Sequence, residues 1–279
     1  MVNFIYSAFA DEYSSDVREQ AQVLKKHNIK YVELRNCNGL NIADLSVEQT
    51  KDVKAVFDDY GIKVSSIGSP IGKVKTDCDI KSYLGVCRDI FEKANYLGAK
   101  FCRIFSFYPK GDVFSDGEKE TVYKNLEQIL KLAKSYNVVL CHENEAKIYG
   151  ESPQRCLELL TRFDGLQAVF DMGNFVLDGY NPIEAYRLLQ NRIAYFHIKD
   201  ALSAGAVVPA GKGEAHIADI VNAHKSFAKE DFFLSIEPHL QTFSGLNALV
   251  GKSFDNPYKY PDCKTAFEDD INKLRGVLQ

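Results

Sequence analysis

The chain has no closely spaced cysteine pair, no long basic run, no glycine-rich phosphate fingerprint and no long apolar run. Each absence removes a class of function. Its seven Cys, at 37, 78, 87, 102, 141, 156 and 263, are odd in number and never fall in a C-x2-C pair. That argues against a disulfide framework and against a zinc ribbon. Most lie in apolar strand- or helix-like stretches, where a thiol behaves as a small hydrophobe, and this usage suits a reducing cytoplasm. No run of Lys and Arg exceeds two residues and the formal net charge is −4, so the electrostatic footprint of a nucleic-acid binder is missing. G-x-G-x-x-G does not follow the first strand pattern, and no Walker A sequence occurs. No apolar run approaches the ~18 residues of a membrane span, and MVNFIYSAFADE lacks the basic segment of a signal peptide. The expectation is a cytoplasmic protein with neither nucleic acid nor membrane as partner.

What is present is an alternation. At 279 residues the chain fits one large α/β barrel, for which about 250 residues is typical, or two average domains. Strand patterns fall near 2–8, 30–35, 62–68, 100–106, 137–143, 167–171, 193–198 and 232–237. Helical patterns separate them at 14–28, 46–60, 79–97, 118–136, 152–163, 182–190 and 216–229, with a last one near 264–277. Ser46 and Ser152 read as N-caps, while Gly61, Gly98 and Asn137 read as helix ends. Eight βα units of this length predict a (β/α)8 barrel with a parallel sheet inside, an open doubly wound sheet being the competing arrangement. No linker divides the chain, so residues 1–279 are expected to form one domain. Residues 240–262 follow the eighth strand and are rich in Gly, Pro, Asn and aromatics, so they are expected to act as a lid or a dimer contact of a homo-oligomer.

Four of the strand patterns end in a residue able to bind a divalent metal: VVLCHE at Glu143, LQAVFD at Asp171, IAYFH at His197 and FFLSIE at Glu237. Each run is apolar until that last residue. A barrel keeps its active site at the C-terminal ends of its strands, so the four should converge. Singly, each could be a cap or a structural residue. Together they predict one cation site, suited to Mn2+, Mg2+ or Co2+ with Zn2+ also possible. A metal there would polarise a sugar carbonyl and its neighbouring hydroxyl and stabilise an enediolate. Glu143 and Glu237 are the candidate proton-transfer pair. Lys199 would bind a hydroxyl or phosphate, or neutralise developing negative charge, or else pair with Glu145 or Asp200.

The strings LCHENEAKIYGESPQRCLELL, VFDMGN, YFHIKDA with VVPAGKGEAHI, and LSIEPH resemble the last four βα units of the xylose-isomerase-like TIM barrels. The first half agrees more loosely, through Phe9–Glu12, Tyr31–Arg35 and Ser66–Lys73. That group includes sugar isomerases and epimerases, inosose dehydratases and apurinic endonucleases. The resemblance implies that Glu143, Asp171, His197 and Glu237 are the metal ligands. The chain departs from the ketose epimerases where they have D-x-x-H, reading Asp171-Met-Gly-Asn174 instead, and it carries Glu145 where a His is common.

The expected activity is a metal-dependent isomerase or epimerase of a sugar, sugar phosphate or polyol ketone. An inosose-dehydratase-like lyase and a non-catalytic sugar-binding barrel are the alternatives. The endonuclease members resemble a His-rich three-zinc site, and six His, with 27, 216 and 224 in or beside helical segments, are too few. Candidate substrate contacts are His239, Glu145, Asn174, Arg103 and Ser66. Asn174 should be lifted to the rim by a turn, and Arg103 should reach inward. Glu33 and Arg35 also alternate inward, as an internal ion pair or a substrate contact. Asp11 and Glu12 either face the mouth or cap the first helix, the cap being the favoured reading for Glu12. Gly211-Lys-Gly213 is read either as a tight turn or as an anion site at a helix N-terminus.

Overall fold

In the computed structural model, which describes residues 2–241 and 257–279, eight parallel strands form a nearly closed barrel with helices outside. The strands are β1 (Phe4–Ala8), β2 (Tyr31–Leu34), β3 (Lys63–Gly68), β4 (Phe101–Ile104), β5 (Val139–Glu143), β6 (Gln167–Asp171), β7 (Ile193–Ile198) and β8 (Phe232–Ile236). Hydrogen-bonded pairing runs from β2 through β3 to β8 and on to β1, leaving the β1–β2 seam without a regular ladder. Residues 242–256, most of the expected lid or dimer segment, lie outside the described residues.

The helices are α1 (Val17–Lys26), α2 (Val47–Tyr60), α3 (Ile80–Leu97), α4 (Asp116–Lys134), α5 (Pro153–Arg162), α6 (Met172–Leu177), α7 (Pro182–Leu189), α8 (Ile217–Phe227) and α9 (Cys263–Val277). All but α6 match a helical pattern in the sequence. Their starts are set by local chemistry. Ser46 and Gln49 form a capping box on α2, and the Ser152 hydroxyl accepts from the Arg155 N–H with Pro153 in the first turn of α5. Each helix turns an apolar stripe to the barrel, as α4 does with Val122, Leu126, Ile129 and Ala133, all buried.

Strand alternation sorts the interior into layers. Phe101, Cys141, Val169 and Tyr195 pack together as an apolar floor. Two residues further along the same four strands stand Arg103, Glu143, Asp171 and His197. One step in register therefore changes the interior from apolar to charged. The five fully buried thiols, Cys37, Cys87, Cys102, Cys141 and Cys156, behave as core hydrophobes, and all seven Cys are free.

Three features depart from the sequence reading. The Asp171-Met-Gly-Asn segment is not an open turn but the start of α6, capped by Asp171 itself. Asp200 does not open a loop; it begins a hairpin pairing Asp200–Leu202 with Ala206–Val208. A second hairpin pairs Asn36–Cys37 with Leu40–Asn41 around Asn38 and Gly39, both at positive φ (52° and 78°). Asn-Gly suits such a turn because both central residues must adopt the left-handed region.

Candidate metal centre

Glu143, Asp171, His197 and Glu237 converge at the top of the barrel, each offering one ligand atom, with all four atoms within 4.8 Å of one another. None is more than 2% exposed. His197 Nδ1 lies 3.0 Å from Glu143 Oε1 and 3.3 Å from Glu237 Oε2, so one imidazole nitrogen faces both glutamates. Asp171 is held from both sides. The Asn144 side chain accepts from its N–H and donates to its carbonyl, and its own Oδ1 accepts from the Asn174 N–H at 2.8 Å. Only Asp171 Oδ2 is left to face the other ligands.

Three oxygens decide whether this set fits a cation. Glu143 Oε2, Asp171 Oδ2 and Glu237 Oε2 are buried and accept no hydrogen bond. Such groups are costly unless an ion or a donor completes them. Their neighbours are ionic: Arg103 at 3.2 Å from Glu143, and Lys199 at 2.7 Å from Asp171 and 3.6 Å from Glu237. Lys199 does not meet Asp171 in hydrogen-bonding geometry. Three carboxylates and an imidazole are a donor set for a hard or borderline divalent ion.

The electrostatics follow from burial and charge. Burial opposes ionisation of Glu143, but His197 and Arg103 outweigh it and hold its pKa down at about 2. Burial likewise opposes ionisation of Glu237, and Lys199, His239 and His197 hold it well below the carboxylate range. For Asp171 burial wins, lifting its pKa to about 7 against the pull of Lys199. Burial lowers the affinity of His197 for a proton, yet the carboxylates of Glu143, Glu33 and Glu237 raise its pKa well above the ordinary imidazole value.

Strands β1 to β4 send counter-charges into the same space. Arg35, at the end of β2, donates to both oxygens of Asp11, to Glu12 and, at 2.8 Å, to Glu237 Oε1. Arg103 from β4 reaches Glu143. The ring of Phe9 lies between the two guanidiniums, with their central carbons 4.3 and 5.4 Å from its centroid, and meets the His197 ring edge-on. Gly68 leaves room for that ring, since a Cβ there would stand 2.6 Å from it. His239, placed at φ 48° after Pro238, brings Nε2 within 3.4 Å of both Glu12 and Glu237, and burial pushes its pKa down to about 4.

Several expected contacts fall elsewhere. Glu12 does not cap a helix: Asp16 caps α1, and the Glu12 carboxylate accepts from the His239 N–H inside the site. Glu33 and Arg35 both point inward but do not pair; Glu33 meets His197 and Tyr195. Ser66 is not at the mouth, because its hydroxyl is bonded to Tyr195 on the barrel floor. The side-chain amide of Asn174 donates to the Asn144 carbonyl instead of standing on the rim. Lys199 pairs with Asp171, not with Glu145 or Asp200, while Glu145 is held by Lys73 at 2.9 Å. The N–H groups of Gly211 and Gly213 do bind an anion, but it is the Asp200 carboxylate of the same chain. Arg103 and His239 do border the four-residue cluster, whereas Glu145, paired with Lys73, acts on Lys199 only through its charge.

Residues 21–250 match the family model described as xylose isomerase-like TIM barrel. The chain belongs to the xylose isomerase-like TIM barrel family. No curated protein matches it in sequence. Among solved structures it resembles a D-allulose 3-epimerase from Methylomonas sp. in complex with D-allulose, at 13% identity and a TM-score of 0.76, covering 99% of this chain and 98% of that one. It also resembles the probable 3-DHS dehydratase of petrobactin synthesis from Bacillus anthracis, at 15% identity and 0.73, over 100% and 99% of the chains. A third is a xylose isomerase-like TIM barrel protein from Mycobacterium smegmatis in complex with magnesium, at 13% identity and 0.71, over 100% and 98%. At these identities the likeness speaks for the fold. Among the described residues, no helix is long and apolar enough to cross a membrane.

Proposed function

We propose that this protein is a divalent-metal-dependent isomerase or epimerase that moves a proton next to the carbonyl of a small, uncharged polyhydroxy ketone. The observation that carries this reading is the trio of buried carboxylate oxygens from Glu143, Asp171 and Glu237, without hydrogen bonds and gathered around His197. These four residues would hold Mn2+, Mg2+ or Co2+, with Zn2+ also compatible. When bound, such an ion supplies Lewis acidity toward a carbonyl and the adjacent hydroxyl.

The chain's own residues divide the remaining work. Glu143 and Glu237 come from different strands and both are held ionised, so one can accept a substrate proton from one face. The other returns a proton to the opposite face only after taking one from solvent or a substrate hydroxyl. Lys199, with its pKa pushed up by Asp171 and Glu237 against burial, stays cationic and offsets negative charge that develops on the substrate. His239, beside Glu237, and Glu145, beside Lys73, would serve as hydroxyl partners. Arg103 orients Glu143.

The preference for an uncharged substrate rests on where the cations stand. Arg35 is engaged by Asp11, Glu12 and Glu237, Arg103 by Glu143, Lys199 by Asp171, and Lys73 by Glu145. Among the described residues of the pocket, each of these charges already faces a carboxylate. A phosphate or carboxylate on the substrate would have to break one of these pairs. The relatives' names, a D-allulose 3-epimerase among them, agree with a sugar-like substrate.

The test is a screen of keto-sugars, inososes and their phosphates for 1H/2H exchange at the carbon next to the carbonyl, with and without added metal. Metal-dependent exchange with an unphosphorylated ketose, lost in Asp171→Ala and Glu237→Ala, is the expected result. Exchange followed by loss of a β-hydroxyl would assign a dehydratase instead. A protein that binds no metal and exchanges no such proton would defeat the enzyme reading.

A further inference from the structure

A chain of buried polar groups runs from the floor of the barrel to the metal centre. Ser66 Oγ is 2.8 Å from the Tyr195 hydroxyl, which donates at 2.8 Å to Glu33 Oε1. The other oxygen, Glu33 Oε2, is 3.1 Å from His197 Nε2. All four residues are at most 1% exposed. Glu33 points inward by strand alternation and stands opposite Ser66, just past an irregularity in register where β2 pairs with β3. Ring packing fixes the imidazole plane as well, with Phe9 edge-on at 5.0 Å and Tyr195 at 5.6 Å.

We infer that Glu33 is a positioning residue for the metal centre: it binds His197 through Nε2 and so presents Nδ1 to the ion. This rests on the metal reading above. A neutral imidazole has one N–H and one lone pair, and the group bonded to one nitrogen decides the role of the other. Both ring nitrogens face carboxylates, Glu143 at Nδ1 and Glu33 at Nε2. A cation among Glu143, Asp171 and Glu237 would take the place of the Nδ1 hydrogen, while Glu33, a carboxylate that only accepts, keeps the one on Nε2. The Nδ1 lone pair is then directed at the space shared by Glu143 and Glu237. Tyr195 occupies the second oxygen of Glu33, which prevents the carboxylate from turning away. A glutamate used only to fill the barrel would be costly there, since burying an ion carries a desolvation penalty that a neutral residue does not.

Glu33→Ala and Glu33→Gln test this with two readouts. The first is metal affinity, by competition of Mn2+ or Zn2+ against a chelator dye, with urea unfolding to confirm that each variant is folded. The second is the ring N–H of His197 in protein labelled with 15N at histidine, observed with and without Zn2+. Loss of an outer partner of a ligating His typically costs about 10- to 100-fold in affinity. Glu33→Ala is expected to fall in that range and to lose the protected Nε2–H signal. Glu33→Gln is nearly isosteric and keeps one acceptor oxygen, so it should keep part of the affinity and a weakened signal. Metal affinity within twofold of the wild type in Glu33→Gln and in folded Glu33→Ala overturns the proposal. If Glu33→Ala does not fold, an unchanged Glu33→Gln overturns it alone. A wild-type protein that binds no metal defeats the metal reading instead, and the Nε2–H signal of the metal-free protein still reports on the Glu33–His197 contact.

Discussion

The two halves of the barrel contribute opposite things to one site. Strands β5 to β8 end in Glu143, Asp171, His197 and Glu237, a set of donors for a cation. Strands β1 to β4 surround that set with Arg35, Arg103 and the Phe9 ring, which hold two of the donors in place from outside. The donors would repel one another without charge compensation, and each half alone would be a poorly solvated cluster. The lesson is that ligand and counter-charge are separated along the chain but adjacent in space. Folding brings them together at the ends of parallel strands, so the stability of the barrel and the shape of the site depend on the same ion pairs.

The comparison can be broken from either side. On the donor side, Asp171→Ala removes one of the four proposed ligands, and metal affinity should fall by more than the ~10- to 100-fold typical of an outer partner. Chelator competition reads this directly, and an unchanged affinity would remove Asp171 from the site. On the counter-charge side, Arg35→Met leaves the carboxylates of Asp11, Glu12 and Glu237 without their shared guanidinium. Removing one partner of a buried ion pair costs about 3–5 kcal/mol, so urea unfolding should show a loss of that size. Arg103→Met leaves a single carboxylate, Glu143, and should cost less. Equal losses in the two variants would contradict the asymmetry.

Metal would sharpen the same contrast, because a cation in the proposed site would neutralise the donors from inside as the arginines do from outside. At a metal concentration of ~100 times Kd the wild type should gain about 2.7 kcal/mol, seen as a rise in Tm that a chelator reverses. The gain should be absent in Asp171→Ala. The last contrast is a pH effect at Asp178. Burial, with help from Glu151 and Glu145, pushes the Asp178 carboxyl up to about 7. A raised acid binds its proton in the folded state over the range from its unfolded value to about pH 7. Its favourable contribution is therefore complete below that unfolded value and is lost as pH rises through the window. Asp178→Asn should flatten the fall in stability between about pH 4 and pH 7, measured by urea midpoints across that range.

Much of this was legible in the chain itself. All eight strands and all helices but α6 follow hydrophobic periodicity and cap chemistry, which are local. The four donors were visible because each interrupts an apolar run at its C-terminal end. Asn38-Gly39 carries a local hairpin signal, and the structure places a hairpin there. The counter-charges were harder to assign. Glu33 and Arg35 can be seen to alternate inward, but which carboxylate meets which guanidinium depends on register across the barrel. The same holds for Ser66, which its strand position allowed at the mouth and which Tyr195 takes on the floor.

The sequence by itself determined the barrel, the direction of its strands and the identity of the four donors, because strand period and chain polarity place a strand-end residue at one rim whatever its neighbours do. Tertiary structure alone decided the partners: Arg35 with Glu237, Arg103 with Glu143, Lys199 with Asp171, Asp200 with Gly211 and Gly213, and Glu33 with His197. Those choices depend on the stagger of the strands and on side-chain reach of a few ångströms, which residues up to 202 positions apart in the chain, as Arg35 and Glu237 are, do not encode locally.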